Sequence, residues 1–212
     1  MDKKTTREIF YYKDYYLDFF GKLKPEVKKK FNWTLQLISV IDRVPEKYLK
    51  HLTGTTGLYE VRVEVGSDIY RVFCFFDKGQ LIILVNGFQN KTQKTPTNEI
   101  ELAEKLKNNT SMKKTNKNLT SFADHLDKQY GKRGTKKRET YEEGFEAFKL
   151  GVMLQELRKD QGMTQEQLAE KCGTTKTYIS RIENNASDIR LSTLMRIISE
   201  GLGGHLKLSV DI

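Results

Sequence analysis

The order of apolar and polar positions divides the chain into two stretches with different periods. Up to about residue 108 the apolar residues fall mostly in short β-branched and aromatic runs; beyond about residue 118 they recur at helical spacing. In the first stretch Glu8-Ile9-Phe10-Tyr11-Tyr12 predicts an opening strand, and an aromatic helical segment ends near Gly21. Pro25 stands where a helix begins, and Val27, Phe31, Leu35, Ile38 and Ile41 repeat along one buried helix face. Strands are expected at Leu58 to Val65, Ile69 to Phe76 and Leu81 to Phe88, joined by the hairpin-turn compositions Gly66-Ser67-Asp68 and Asp77-Lys78-Gly79. A closing helix, from about Thr97 to Lys107, follows Pro96. The expectation is an α+β domain in which an antiparallel sheet carries helices on one face.

The run Asn108 to Asn118 is polar and without apolar periodicity, so it reads as a linker. Residues 1–108 then form one domain, 109–118 the linker and 119–212 a second domain. Met112, followed by two lysines, resembles the start of a separate protein, as if two reading frames had been joined. In the second domain Phe122 to Tyr130 predicts a short amphipathic helix, interrupted by Gly131-Lys132-Arg133-Gly134. A helical array is expected from about Thr140 to Gly201. His205 to Val210 alternates and predicts one edge strand, which needs a partner such as its copy in a second subunit.

Composition changes this picture only modestly. The 212 residues accommodate two small domains, and no apolar run reaches the length of a membrane span. The amino terminus lacks secretory features, so a cytoplasmic protein is expected. Cys74 and Cys172 stand far apart, and His51, His125 and His205 are scattered; two reduced buried thiols, no metal and no cofactor are expected. The net charge of +9 is shared by both halves and favours polyanionic partners without choosing among them.

Thr164 to Gly173 opens with the capping-box residues Thr164 and Gln167, presents Leu168 and Ala169 to a core and stops at glycine. Thr174 and Thr175 can cap a following helix, Lys176 to Glu183, with Ile179 and Ile182 facing inward. Two helices around a tight glycine-containing turn form a helix-turn-helix pattern. Over roughly residues 150–200, T-Q-x-x-L-A-x-x, a glycine and then Y-I-S-R-I-E-N resemble the Xre/Cro-type DNA-binding family. The resemblance implies that Gln165 anchors a phosphate, that Thr175, Lys176, Thr177 and Arg181 approach the major groove, and that Ser180 and Asn184 add backbone contacts. It further implies palindromic operator DNA and a homodimer formed through the C-terminal half. Asn185 stands where the family often has glycine and is expected in a left-handed turn. Phe122 to Gly134, with Phe145 to Gly151 downstream, is similar to HigA-type antitoxins, whose N-terminal arm grips a toxin.

In the first half, Leu52-Thr53-Gly54-Thr55-Thr56-Gly57-Leu58-Tyr59-Glu60-Val61-Arg62-Val63, Tyr70-Arg71-Val72 and Gly87 to Pro96 resemble the phage-related HigB branch of RelE-like toxins. That resemblance implies ribosome-dependent cleavage of mRNA. The residue types suit metal-free attack of a ribose 2′-OH on the adjacent phosphate, giving a 2′,3′-cyclic phosphate. Arg62 and Arg71, on adjacent predicted strands, are the candidate charge stabilisers; Lys91 and Lys94 are further cations or proton carriers. Tyr59, Tyr70 and His51 are weaker candidates, and Lys28-Lys29-Lys30 is either an RNA contact or a solvated helix face. The expected whole is a toxin and its antitoxin in one chain, each half binding the other, with autorepression through operator DNA. The competing expectation is a repressor whose first half is a catalytically inactive binding module.

Overall fold

The computed structural model describes residues 7–77, 81–90, 95–109 and 118–208; the side chains of residues 81–85, 90 and 109 lie outside that description. Two compact units divide at Arg133 and Gly134.

The first unit is built on a sheet of order β2-β3-β4-β5-β1-β6, with β1 Glu8–Tyr12, β2 Leu49–His51, β3 Leu58–Val65, β4 Asp68–Asp77, β5 Leu81–Asn90 and β6 Leu119–Ser121. Strands β3, β4 and β5 form the antiparallel meander that the alternation predicts, whereas β1 joins β5 in parallel. Of the two turns, Gly66-Ser67 is formed, with Gly66 at φ 61°; the turn at Lys78-Gly79 lies outside the described residues.

Helices α1 Tyr15–Gly21 and α2 Pro25–Val40 cover one face. Phe31 of α2 meets Tyr70 of β4 edge-on at 6.2 Å. Phe19 of α1 lies over Gly87 of β5 so closely that a Cβ there would stand 2.5 Å from its ring. Arg7 closes the end of α2 by donating to the carbonyls of Ile38 and Ile41 at 2.9 and 2.5 Å, satisfying groups that a helix end leaves unpaired. Helix α3 Thr97–Asn109 lies on the opposite face, where Ala103 and Leu106 pack with Tyr12, Leu58, Phe73 and Phe75. The expectation of helices on one face thus describes α1 and α2, while α3 adds a second covered face.

Strand β6 and helix α4 Phe122–Tyr130 belong to this same unit, although the sequence assigns residues 119–130 to the second domain. Ser121 caps α4 by accepting from the Ala123 amide at 3.1 Å.

The second unit is helical: α5 Lys136–Asp160, α6 Gln165–Lys171, α7 Lys176–Asn184 and α8 Leu191–Arg196, which runs on into a π-helical turn, Ile197–Gly201. Leu154, Leu168, Ala169, Cys172, Ile179, Ile182, Leu194, Ile197 and Leu202 form its core. The capping box at Thr164 is complete, its hydroxyl accepting from the Gln167 amide and the Gln167 side chain from the Thr164 amide. Gly151 of α5 touches the backbone of α7, and a Cβ there would be 2.6 Å from the Ile182 carbonyl.

Two expectations in this unit need correction. Asn185 is extended, at φ −164°, and its side-chain oxygen accepts from the Ser187 amide, so an Asx turn replaces the left-handed one. Residues 205–208 form no strand; a single edge strand has no ladder to join within this unit, and residues 209–210 lie outside the described residues.

Candidate nucleic-acid interfaces

The sheet register pairs Arg62 directly with Arg71 and Glu60 with Phe73, which places both arginines and Glu60 on the α3 face. There the arginines converge, on a carboxylate. Glu60 Oε1 lies 2.6 Å from Arg71 Nε and 3.0 Å from Arg62 Nε, and Glu60 Oε2 accepts from the Thr95 hydroxyl at 2.8 Å. Side-chain exposure is 0% for Arg71, 2% for Glu60 and 17% for Arg62. The expectation that both guanidinium groups face a phosphate is therefore corrected for Arg71. Its charge is taken up by Glu60 beneath the face that α3 covers, and only Arg62 keeps a surface. Lys91 and Lys94 lie outside the described residues.

Sequence reasoning missed Glu60. Its signal was an acidic residue two positions before Arg62, hence on the same face of the strand. Tyr70 is a buried packing residue against Phe31, whereas Tyr59 sits between the exposed His51 at 5.0 Å and Phe76 at 4.8 Å. In the lysine run, Lys28 donates to the Gly21 carbonyl and Lys29 lies over Trp33. Burial raises the thiol pKa of both cysteines, keeping the protonated, unreactive form.

On the other face, beyond the free side of β1, sits the arm formed by β6 and α4. Its strand pairs antiparallel with β1, Ser121 opposite Phe10 and Leu119 opposite Tyr12, which covers what would otherwise be an open edge. Phe122 and Leu126, four residues apart, turn one buried stripe of α4 inward. Phe122 meets Tyr11 at 6.4 Å, and His125 stands edge-on to Tyr11 and Phe20 at 5.4 and 5.0 Å. Asn32 donates to Gln129 Oε1 at 2.8 Å and to the Tyr130 hydroxyl at 3.3 Å. Burial lowers the pKa of His125, opposed by its hydrogen bond with Gln129 and reinforced by the Lys128 charge.

In the second unit, α7 has Thr175, Lys176, Thr177, Arg181 and Asn184 exposed and Ser180 half-buried, with Ile179 and Ile182 turned into the core. This is the amphipathic face that a recognition helix presents. Several of these side chains have local partners: Thr175 caps the helix at the Tyr178 amide, Lys176 lies 3.5 Å from Glu166, Arg181 stacks over Tyr178 at 5.1 Å and Asn184 donates to the Ser180 carbonyl. The half-buried Gln165, expected to hold a phosphate, donates to Glu183 Oε2 at 2.8 Å. Glu183 is itself buried and ion-paired with Arg158 at 2.5 Å. Burial works to raise the Glu183 pKa, but hydrogen bonds from Arg158, Gln165 and Gln155 outweigh it and hold the carboxyl below its ordinary range.

Among the described residues no helix is long and apolar enough to cross a membrane. Residues 18–108 match the family model described as phage-derived protein Gp49-like, and residues 154–200 match a helix-turn-helix model. The chain therefore carries a Gp49-like domain followed by a helix-turn-helix domain of the DNA-binding kind. A search of curated proteins gave no match.

Proposed function

We propose that this chain is a toxin–antitoxin pair in one polypeptide: a HigB-type, ribosome-dependent mRNA endoribonuclease restrained by a HigA-type antitoxin that also represses its own operon. The observation that carries the reading is the docked arm. Residues 119–130, which by sequence begin the antitoxin, complete the sheet and fill an aromatic recess of the Gp49-like domain.

The chemistry is transfer of the phosphate to the ribose 2′-oxygen. The O2′–P bond forms, the P–O5′ bond breaks, and the 2′ proton leaves as the 5′ oxygen gains one, leaving a cyclic phosphate without a metal ion or cofactor. Arg62 meets the charge that accumulates on the phosphorane. Lys91 and Lys94 supply further cations or carry a proton. In the second half, Lys176, Thr177 and Arg181 read the major groove, Thr175, Ser180 and Asn184 flank it, and Gln165 meets a phosphate after giving up Glu183. Dimerisation through the C-terminal half matches a palindromic operator. The assembly acts in the cytoplasm.

Joining two partners by a short stretch of chain keeps each at an effective concentration on the order of mM for the other. Expression of residues 1–111, with and without 112–212 supplied separately, tests the reading. Growth arrest by 1–111 alone, relieved by its partner, is expected; equal toxicity of 1–111 and the intact chain would refute restraint by the tethered half. The burial of Arg71 favours a second reading, a repressor whose first half binds without cutting. Under that reading, alanine at Arg62 leaves the behaviour of 1–111 unchanged.

A further inference from the structure

We propose that Glu60 is a positioning residue of the nuclease site, holding Arg62 beside the place where it meets the scissile phosphate, with Arg71 as the buried partner that fixes Glu60 in place. The inference rests on the nuclease reading above and assigns to Glu60 and Arg71 roles different from substrate contact.

Three observations carry it. One carboxylate serves three elements: Arg62 of β3 and Arg71 of β4 through Oε1, and Thr95, at the entry to α3, through Oε2. Exposure is graded, since Arg71 and Glu60 are sealed and only Arg62 reaches the surface. Glu60 faces both guanidinium groups, and of the three side chains Arg62 is the one that reaches the surface. Arg62 Nε is buried and lies 3.0 Å from the carboxylate as an ion pair without hydrogen-bond alignment, so the charge of Glu60 restrains the inner end of the guanidinium while its partly exposed outer end is left toward the surface. Arg71 gives the buried carboxylate a second, fully buried partner besides the partly solvated Arg62, which fixes where it can meet Arg62. Cation placement of this kind acts on the transition state more than on substrate binding.

Removing Glu60 alone takes the carboxylate from the buried Arg71 and risks unfolding, so the test uses the full chain with Glu60→Gln combined with Arg71→Met, which exchanges the buried pair for groups of similar volume. Its melting curve establishes that it folds. The first readout needs no activity. In 1H–15N spectra the Arg62 Nε–H signal of the unsubstituted chain is expected to be shifted by the carboxylate beside it, and to move to the position of a free arginine in the double variant. An unmoved signal overturns the proposal.

The second readout uses the full chain with Phe122→Asp and Leu126→Asp to release the arm, in cell-free translation. Adding Glu60→Gln and Arg71→Met should lower kcat about 100-fold with little change in KM, and Glu60→Asp on its own should lose less. Equal kcat with and without Glu60, while Arg62→Ala abolishes cutting, defeats the proposal and leaves the nuclease reading intact. No cutting by the arm-released chain with Glu60 present defeats the nuclease reading, and the role of Glu60 with it.

Discussion

Replacing Arg62 with alanine removes the partly exposed cation of the sheet cluster and leaves the Glu60–Arg71 pair in place, so folding should survive and chemistry should not. The expected loss is about 100-fold in mRNA cleavage by an arm-released chain, with an unchanged melting temperature. Alanine at Arg71 does the reverse: it takes from the buried Glu60 its fully buried partner and leaves it Arg62 and the Thr95 hydroxyl, so thermal stability falls first. Glu183 makes a comparable argument in the second unit. Its folded pKa is depressed, so its contribution to stability is present above the ordinary carboxylate range and is lost as pH falls through the folded value. Melting temperature should therefore drop on acidification, and Glu183→Gln should flatten that slope while costing about 3 kcal/mol near neutrality by stranding Arg158. The placement of these residues was only partly legible. Period-two alternation put Arg62 and Arg71 on adjacent strands, and the hairpin register put them on one face. Their burial was not legible, because α3 covers that face and its packing depends on residues some thirty positions away.

At the scale of elements, β1, β3, β4, β5, α2, α3, α4 and the capped helices of the helix-turn-helix follow local periodicity and capping chemistry, and these signals lie within a few residues. Strands β2 and β6 escape such a reading. Each is three residues long, too short for alternation to register, and each exists because a neighbouring edge offers it a ladder. The arm also carries a pH response. The pKa of His125 is lowered on docking, so the neutral ring is favoured and the contribution to docking is lost as pH falls below about 6.5, the ordinary histidine value. Amide exchange over residues 119–130 should quicken on acidification from neutral pH, and His125→Phe should remove the dependence. At Gly151 the close contact between α5 and α7 leaves no room for a methyl group; Gly151→Ala should lower the stability of the second unit by about 1–3 kcal/mol, measured by denaturant titration.

For the whole molecule, the account joins two activities that need different partners, RNA for the first unit and DNA for the second; residues 1–133 carry the whole net charge of +9 while 134–212 balance 12 basic against 12 acidic residues, so contact with DNA depends on where the second unit places its cations rather than on its net charge. Leu191 and Met195 stand half-exposed one turn apart on α8, an apolar face suited to a second copy, so Met195→Glu should shift the chain toward monomer in light scattering and weaken binding to a palindromic operator. The central claim is that the arm restrains a competent nuclease. It is tested most directly by mapping mRNA 5′ ends in cell-free translation with the intact chain and with the chain carrying Phe122→Asp and Leu126→Asp. The account predicts few new ends from the intact chain and abundant translation-dependent ends from the variant; equal, negligible cutting by both, with amide exchange showing the arm undocked in the variant, would contradict it.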